Sequence, residues 1–323
     1  MNARLQVTDD WRAVLKDPEI SAVVIGTWPY MHALLTIEAL KAGKHVLCEA
    51  RAAMDAREAH EMLRVSRQNP GLVVQIVPSP FTLPYDATIR DIIRSGKLGR
   101  LTYIEVRGVS SQYPDPPGAP MHFRQNREYS GLNILTMGIF YEALVRWVGG
   151  ARRVLAMSQT VVDRRTRQET GEVEFVTVPD HVNVLAQMQC GAQAHMVFSA
   201  VTGAARSPTS EIWIYGTEGT LHLNLDDGKL SLGLRSEGLG ALQPVDIPAA
   251  SRGHWRVEEE FVGAIRQVYS CLTAYRHLTM LLGTEQVRLT DLPTAVHYME
   301  FTQAVAESCQ SGRAIDLPLI PSL

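Results

Sequence analysis

The chain has 323 residues, of which 46% are hydrophobic and 20% charged, with a formal net charge of −3. That is enough apolar material for a large core and two domains, and the near-balance of charge gives no electrostatic case for nucleic acid or an anionic membrane as partner. No apolar run approaches the roughly 20 residues of a membrane span, and Met1–Gln6 lacks a signal peptide's apolar stretch, so a cytoplasmic setting is the default expectation. The cysteines, Cys48, Cys190, Cys271 and Cys309, form no CxxC pair, so neither a disulfide framework nor a metal site is expected.

In chain order, Thr8-Asp-Asp10 offers helix caps ahead of Trp11, Val14 and Leu15, which share one face. Ala22–Ile25 is a short, wholly apolar run that suits a strand buried on both faces of a parallel sheet. The pattern predicts a helix over 32–42 that stops at Gly43, a strand at His45–Cys48, a helix over 55–68 stopped by Asn69-Pro-Gly71, and a strand at Leu72–Val77. Alternation at this spacing means βαβ units and a doubly wound sheet. Ligands of such sheets bind outside the carboxyl ends of the strands, which singles out Thr27–His32, Glu49–Arg51 and Pro78–Phe81.

No GxGxxG occurs, and Gly238-Leu-Gly240 has neighbours that do not spell strand then helix. A dinucleotide site needs glycines so that backbone and a helix N-terminus can approach the pyrophosphate. The chain reads as though it begins after the two strands that would carry such a site.

From residue 99 the pattern changes. Leu101–Val106 alternates like a half-exposed strand, as do 154–162, 181–189 and 194–201, while Glu211–Tyr215 and Leu221–Leu225 flank the hairpin signal Gly216–Gly219. Helices are predicted over 132–147, 257–266 and 292–310. The expected fold class is α/β then α+β. Residues 1–98 form a partial, doubly wound parallel sheet; residues 99–323 form an open, mostly antiparallel sheet flanked by helices, through which a homo-oligomer would assemble.

Ala22–Thr27 with Pro29 and His32, then Glu38-Ala-Leu-Lys-Ala-Gly-Lys-His-Val-Leu-Cys-Glu49, resemble the Gfo/Idh/MocA oxidoreductases almost letter for letter in the second stretch. Ser95–Gly99, Trp213–Leu221 and Tyr298-Met-Glu-Phe301 are similar to later parts of the same family. The resemblance implies a Rossmann domain, NAD or NADP, and hydride transfer to a sugar, sugar acid or related polyol. It places Thr27, Trp28, Pro29, His32 and Glu49 on the cofactor. The family's Lys-Pro after that Glu is Ala50-Arg51 here, and the Asp, His and Asp of its interdomain helix are Thr136, Phe140 and Ala143. None of these can transfer a proton near neutral pH, and a guanidinium does not deprotonate.

The remaining candidates come from chemistry and position. Arg51 can grip a carboxylate or phosphate in a fork, or pair internally with Glu49. Trp28 and Tyr30 can stack on a ring or pack an interface, and His32 can cap or pack as readily as catalyse. His122 and Arg124 lie in the Pro-rich loop 114–127, suited to cover a substrate. Asn133 and Thr136 share a helix face with Phe140, whereas Glu142 and Arg146 have the spacing of a helix-surface pair. Asp180-His181 reads as structural, and His254, Trp255 and Arg256 precede a helix. The expected set is Arg51, His122 and Glu142 for chemistry, with Tyr30, Arg124, Asn133 and Thr136 on a small-molecule substrate. The alternatives are a cofactor-free lyase or isomerase acting on a sugar acid, and a noncatalytic ligand-binding or assembly subunit.

Overall fold

The computed structural model describes residues 6–79, 81–111, 120–167, 170–203, 209–238, 240, 242–248, 261–266 and 290–319. Helix α1 (Trp11–Lys16) starts where the Asp10 side chain accepts from the Arg12 amide, and its exposed face leaves only Leu15 against the core. Strand β1 (Ala22–Ile25), helix α2 (His32–Lys41), strand β2 (His45–Cys48), helix α3 (Ala56–Gln68) and strand β3 (Val74–Ile76) then make two right-reading βα repeats. The strands are parallel, with Ile25, Cys48 and Ile76 in register. All four residues of β2 are buried, as a run of His, Val, Leu and Cys between two covered faces requires. Strand β1 lies at the sheet's edge, and Val24 is 64% exposed there.

The fourth strand of this sheet comes from the far end of the chain. Thr290–Asp291 pairs antiparallel with β3, Thr290 opposite Ile76. Nothing in the local sequence announces a two-residue strand, so the sheet is parallel with one antiparallel edge.

Helix α4 (Leu83–Arg94) leads into β4 (Leu101–Val109), followed by α5 (Arg127–Ser130), α6 (Met137–Val148), β5 (Ala151–Gln159) and the small hairpin β6 (Arg164–Thr166) and β7 (Val173–Phe175). Then come β8 (His181–Met188), β9 (Gln193–Ser199), β10 (Ser210–Gly216), β11 (Gly219–Asn224), β12 (Lys229–Leu234), β13 (Gln243–Pro244), β14 (Thr290–Asp291), α7 (Leu292–Ser311) and β15 (Ile315–Asp316). The large sheet runs β13-β12-β11-β10-β4-β9-β8-β5-β15, antiparallel throughout except for the parallel pair β4 and β9. Its buried positions alternate with outward ones along β5 and β8, and the inner side packs on α6 and α7. The hairpin of β10 and β11 forms where the glycine pair predicted it.

Two expectations change. The helix predicted over 132–147 begins only at Met137, because Gly131 takes φ +64 and Leu135 φ +49, and those residues make a turn instead. Of the helix predicted over 257–266, residues 261–266 are helical, while His254, Trp255 and Arg256 lie outside the described residues.

Candidate functional site

The carboxyl ends of β1, β2 and β3 open onto α6 and α7. After β1 the chain turns at Gly26-Thr27-Trp28 into a single 3₁₀ turn, Pro29–Met31, with Pro29 buried at its first position. His32 then starts α2 and is fully buried. Its Nε2 lies 2.8 Å from the Thr27 carbonyl and its Nδ1 2.8 Å from the Arg51 carbonyl. The ring therefore pins the turn after β1 to the turn after β2, which gives it a packing role over a contact with ligand.

In the turn after β2, Glu49 is exposed and its carboxylate accepts from the Ala50 amide at 3.2 Å. Arg51 is buried, and the next amide, Ala52, donates to the Tyr298 hydroxyl of α7 at 2.7 Å. Complete burial pushes the Tyr298 phenol up, and Glu142 pushes the same way while Arg51 opposes. Tyr298 was not among the sequence candidates. It lies in the Tyr298-Met-Glu-Phe301 stretch that carries part of the family resemblance, and that stretch was the available signal.

The second half contributes a loop. His122 caps the short 3₁₀ turn Phe123–Gln125: its backbone amide donates to the Gln125 side chain at 2.9 Å and its Nδ1 accepts from the Arg124 amide. Burial, then the Arg124 cation, holds the His122 pKa below the ordinary imidazole value. Trp28 stacks on Phe123 with centroids 5.3 Å apart and leans on Tyr129 at 4.8 Å; Tyr30 meets Tyr129 at 5.7 Å. The Arg124 guanidinium lies 4.6 Å over the Phe123 ring. Trp28, Tyr30, His122 and Arg124 are thus brought together by two aromatic residues, Phe123 and Tyr129, that sequence reasoning passed over. Both lie within or beside the Pro-rich loop already singled out, which was the available signal.

Asn133 is buried in the turn before α6, not on the helix. Its amide donates to the Ala53 carbonyl at 3.1 Å and to Ser130 at 2.5 Å, so it staples the two halves. Beside it the Leu132 amide donates to Met54 at 3.0 Å, and a Cβ on Gly131 would lie 2.2 Å from the Met54 oxygen. Thr136 is half-buried and precedes α6 without a side-chain cap. The helix face expected to join Asn133, Thr136 and Phe140 does not form. Phe140 packs inward on Phe198, 5.5 Å between ring centres, and Ala143 is fully buried.

Glu142 and Arg146 do pair, at 2.5 Å, but inside the protein and not on a helix surface. The Thr290 hydroxyl also donates to the Glu142 carboxylate. Arg146 reaches on to Asp86 at 2.6 Å and Thr82 at 3.0 Å, and the Trp147 indole donates to Asp86 at 2.6 Å. Burial raises the Glu142 pKa, opposed by Arg146 and Thr290. This carboxylate is committed to joining α4, α6 and β14, which removes it from the set expected to do chemistry. Asp180 is structural as expected, accepting from the Val161 and Val162 amides at 2.7 and 2.9 Å.

A dinucleotide would need a cradle for its pyrophosphate. The turns after β1, β2 and β3 carry no glycine-rich approach to a helix N-terminus. Trp28, Tyr30 and Glu49 are exposed at the strand ends, a surface open to a planar ring.

Residues 2–76 match the profile of an oxidoreductase family with an NAD-binding Rossmann fold, and residues 87–222 match the Gfo/Idh/MocA C-terminal domain. The levoglucosan dehydrogenase of Pseudarthrobacter phenanthrenivorans is 26% identical over 234 residues, covering 68% of this chain and 59% of that protein. The trans-1,2-dihydrobenzene-1,2-diol dehydrogenase of Homo sapiens is 27% identical over 213 residues, covering 66% and 58%. The chain thus matches under three-fifths of the length of these curated relatives. Among solved structures, levoglucosan dehydrogenase in complex with NADH and L-sorbose superposes with TM-score 0.79 at 22% identity over 98% of this chain and 84% of that one. An NAD-binding oxidoreductase from Klebsiella pneumoniae gives 0.78 at 21% identity, covering 96% and 83%. No helix among the described residues is long and apolar enough to cross a membrane. With its parallel sheet, its crossover into an open antiparallel sheet and both family profiles in their proper order, the chain belongs to the Gfo/Idh/MocA oxidoreductases.

Proposed function

We propose that this chain is an oxidoreductase of a sugar, sugar acid or related polyol that works with NAD or NADP, with the substrate lying between the strand ends and the 122–136 segment. The observation that carries this is the convergence of Trp28, Tyr30, His122 and Arg124 on one aromatic cluster beside the Arg51 turn. When bound, the nicotinamide supplies the hydride acceptor or donor. This chain's own residues position and polarise. The Arg51 fork orients a carboxylate or carbonyl oxygen. His122, whose pKa is lowered by burial and then by Arg124, accepts from the Arg124 amide at Nδ1, which leaves Nε2 as the ring nitrogen a substrate oxygen would meet. Asn133 holds the two halves at a fixed separation. Thr27, Trp28 and Glu49 frame the nicotinamide end on a turn that buried Pro29 and His32 hold in place, with Tyr30, Arg124 and Thr136 facing the substrate.

Titration calorimetry with NADH and NADPH tests the cofactor: saturable binding supports it, and no binding by the natively folded chain counts against it. The activity itself is tested by following nicotinamide absorbance with levoglucosan, inositol and sugar acids. An Arg51→Lys variant that keeps its fold and loses affinity for the acids alone supports the role given to Arg51. Unchanged affinity removes it.

The residues at Ala50, Thr136 and Phe140, none of which can carry a proton, favour a second reading, a ligand-binding or assembly subunit. Saturable sugar-acid binding with no turnover in the presence of nicotinamide would select it. A cofactor-free lyase or isomerase would have to rely on His122, since Glu142 is committed elsewhere. A homo-oligomer through the open sheet is supported by Leu155, Met157 and Leu185, which are 42%, 78% and 57% exposed on its outer face, Leu155 directly opposite Leu185.

A further inference from the structure

Behind the Gly131–Asn133 staple, on the side away from the strand ends, lies a cavity of about 190 Å³ between residues 127–134, β5, the 177–179 segment and the last turn of α7. It has room for a small organic molecule and none for a dinucleotide. Its lining is uneven. Ile134 and Val178 give an apolar wall, Ser158 and Thr177 supply hydroxyls, and Cys309 contributes a thiol. Arg127 is the one charged residue on the lining, with its side chain exposed to solvent, and no carboxylate lies on that lining. A cavity with a single cation on its solvent side, neutral hydroxyls and an apolar wall is complementary to a short chain with one anionic end.

We propose that this cavity binds a small organic carboxylate, its anionic end on Arg127 and its short apolar body against Ile134 and Val178. The site is separate from the crevice at the strand ends. Gly131 and Leu132 line the cavity on one side and touch Met54 on the other, so occupancy would be felt one loop away from the Arg51 turn.

Cys309 makes the proposal measurable, because iodoacetate is itself a small carboxylate and iodoacetamide is its neutral counterpart. In either reaction the Cys309 sulfur attacks the methylene carbon, a carbon–sulfur bond forms, iodide leaves and the thiol proton passes to buffer. The full chain carrying Cys190→Ser and Cys271→Ser leaves Cys309 and the buried Cys48. The ratio of iodoacetate to iodoacetamide rates at Cys309, read by peptide mass spectrometry, is compared with the ratio in the urea-unfolded chain. We expect the folded ratio to exceed the unfolded one several-fold, the iodoacetate rate to saturate, and millimolar butanoate to protect. Arg127→Gln should collapse the ratio to the unfolded value, while Arg127→Lys should keep most of it. A folded ratio at or below the unfolded one, or no protection by butanoate, in a chain with native circular dichroism overturns the site. Should Cys309 resist both reagents, thermal unfolding with butanoate against butanamide decides. A shift from the acid alone that Arg127→Gln removes supports the proposal, and the absence of such a shift overturns it.

Discussion

Arg146→Met is the sharpest perturbation of the packing behind the site. Arg146 answers two carboxylates at once, Glu142 at 2.5 Å and Asp86 at 2.6 Å, and the side chains of all three are mostly buried, at 18%, 4% and 15% exposure. Removing the cation from a buried pair costs about 3–5 kcal/mol, because the partner keeps its desolvation penalty. Thr290 still donates to Glu142, and Trp147 to Asp86, which places the expected loss near the lower end, about 3 kcal/mol. The loss must also depend on pH. Burial raises the Glu142 pKa in the folded state, so its contribution is fully present below the unfolded carboxylate pKa and declines as pH rises through the folded value. Arg146 pulls that pKa back down; without it the decline is deeper. Urea unfolding should therefore show a larger penalty at neutral pH than in the acidic range where carboxylates titrate. Adding Glu142→Gln should recover part of the neutral-pH loss. A penalty under about 1 kcal/mol, the size of a surface pair, would refute this account of a buried network, as would equal penalties at both pH values.

Further outcomes follow from other residues. Gly131→Ala should destabilise by more than the roughly 1–2 kcal/mol of a left-handed conformation alone, because its Cβ would strike the Met54 carbonyl; thermal unfolding against wild type measures it. Tyr298→Phe should cost about 1–3 kcal/mol by leaving the buried Ala52 amide without its acceptor, and no change in the urea midpoint would count against that bond. Leu185→Lys should leave the monomer's stability nearly unchanged and lower the mass seen by light scattering. An unaltered mass would take the outer sheet face out of any assembly.

The sequence was most legible where burial alone dictates structure. His45–Cys48 has no polar face to present, so a strand covered on both sides was the only economical outcome, and it formed with the predicted bounds. The start of α6 was misjudged for the opposite reason. Ile134 and Leu135 keep a helical spacing, and no local signal tells that Leu135 adopts φ +49; the staple of Asn133 and Leu132 onto Ala53 and Met54 imposes it from another part of the chain. The same holds for Glu142. Its spacing from Arg146 was visible, but its burial depends on Asp86 and Thr290, which arrive from 56 positions before it and 148 after it along the chain. At the site, Trp28, Tyr30 and Arg51 stand out by their place after strands and His122 and Arg124 by a Pro-rich loop, whereas Tyr298, Phe123 and Tyr129 act through contacts that only the assembled fold creates.

The two-residue strand β14 and helix α7 have a consequence for how the protein is made. The Ala52 amide waits for a hydroxyl 246 positions away, and His60 for Glu300, 240 positions away. On a ribosome the first three strands emerge long before the segment that closes their edge and covers α3. Until Thr290–Ser311 is released, that nascent sheet exposes the flank of β3 and the face of α3 that α7 will cover, a state in which chaperone binding or pairing with another nascent chain competes with folding. Residues 1–98 expressed by themselves should meet the same fate, and supplying the 290–319 segment in trans should rescue them.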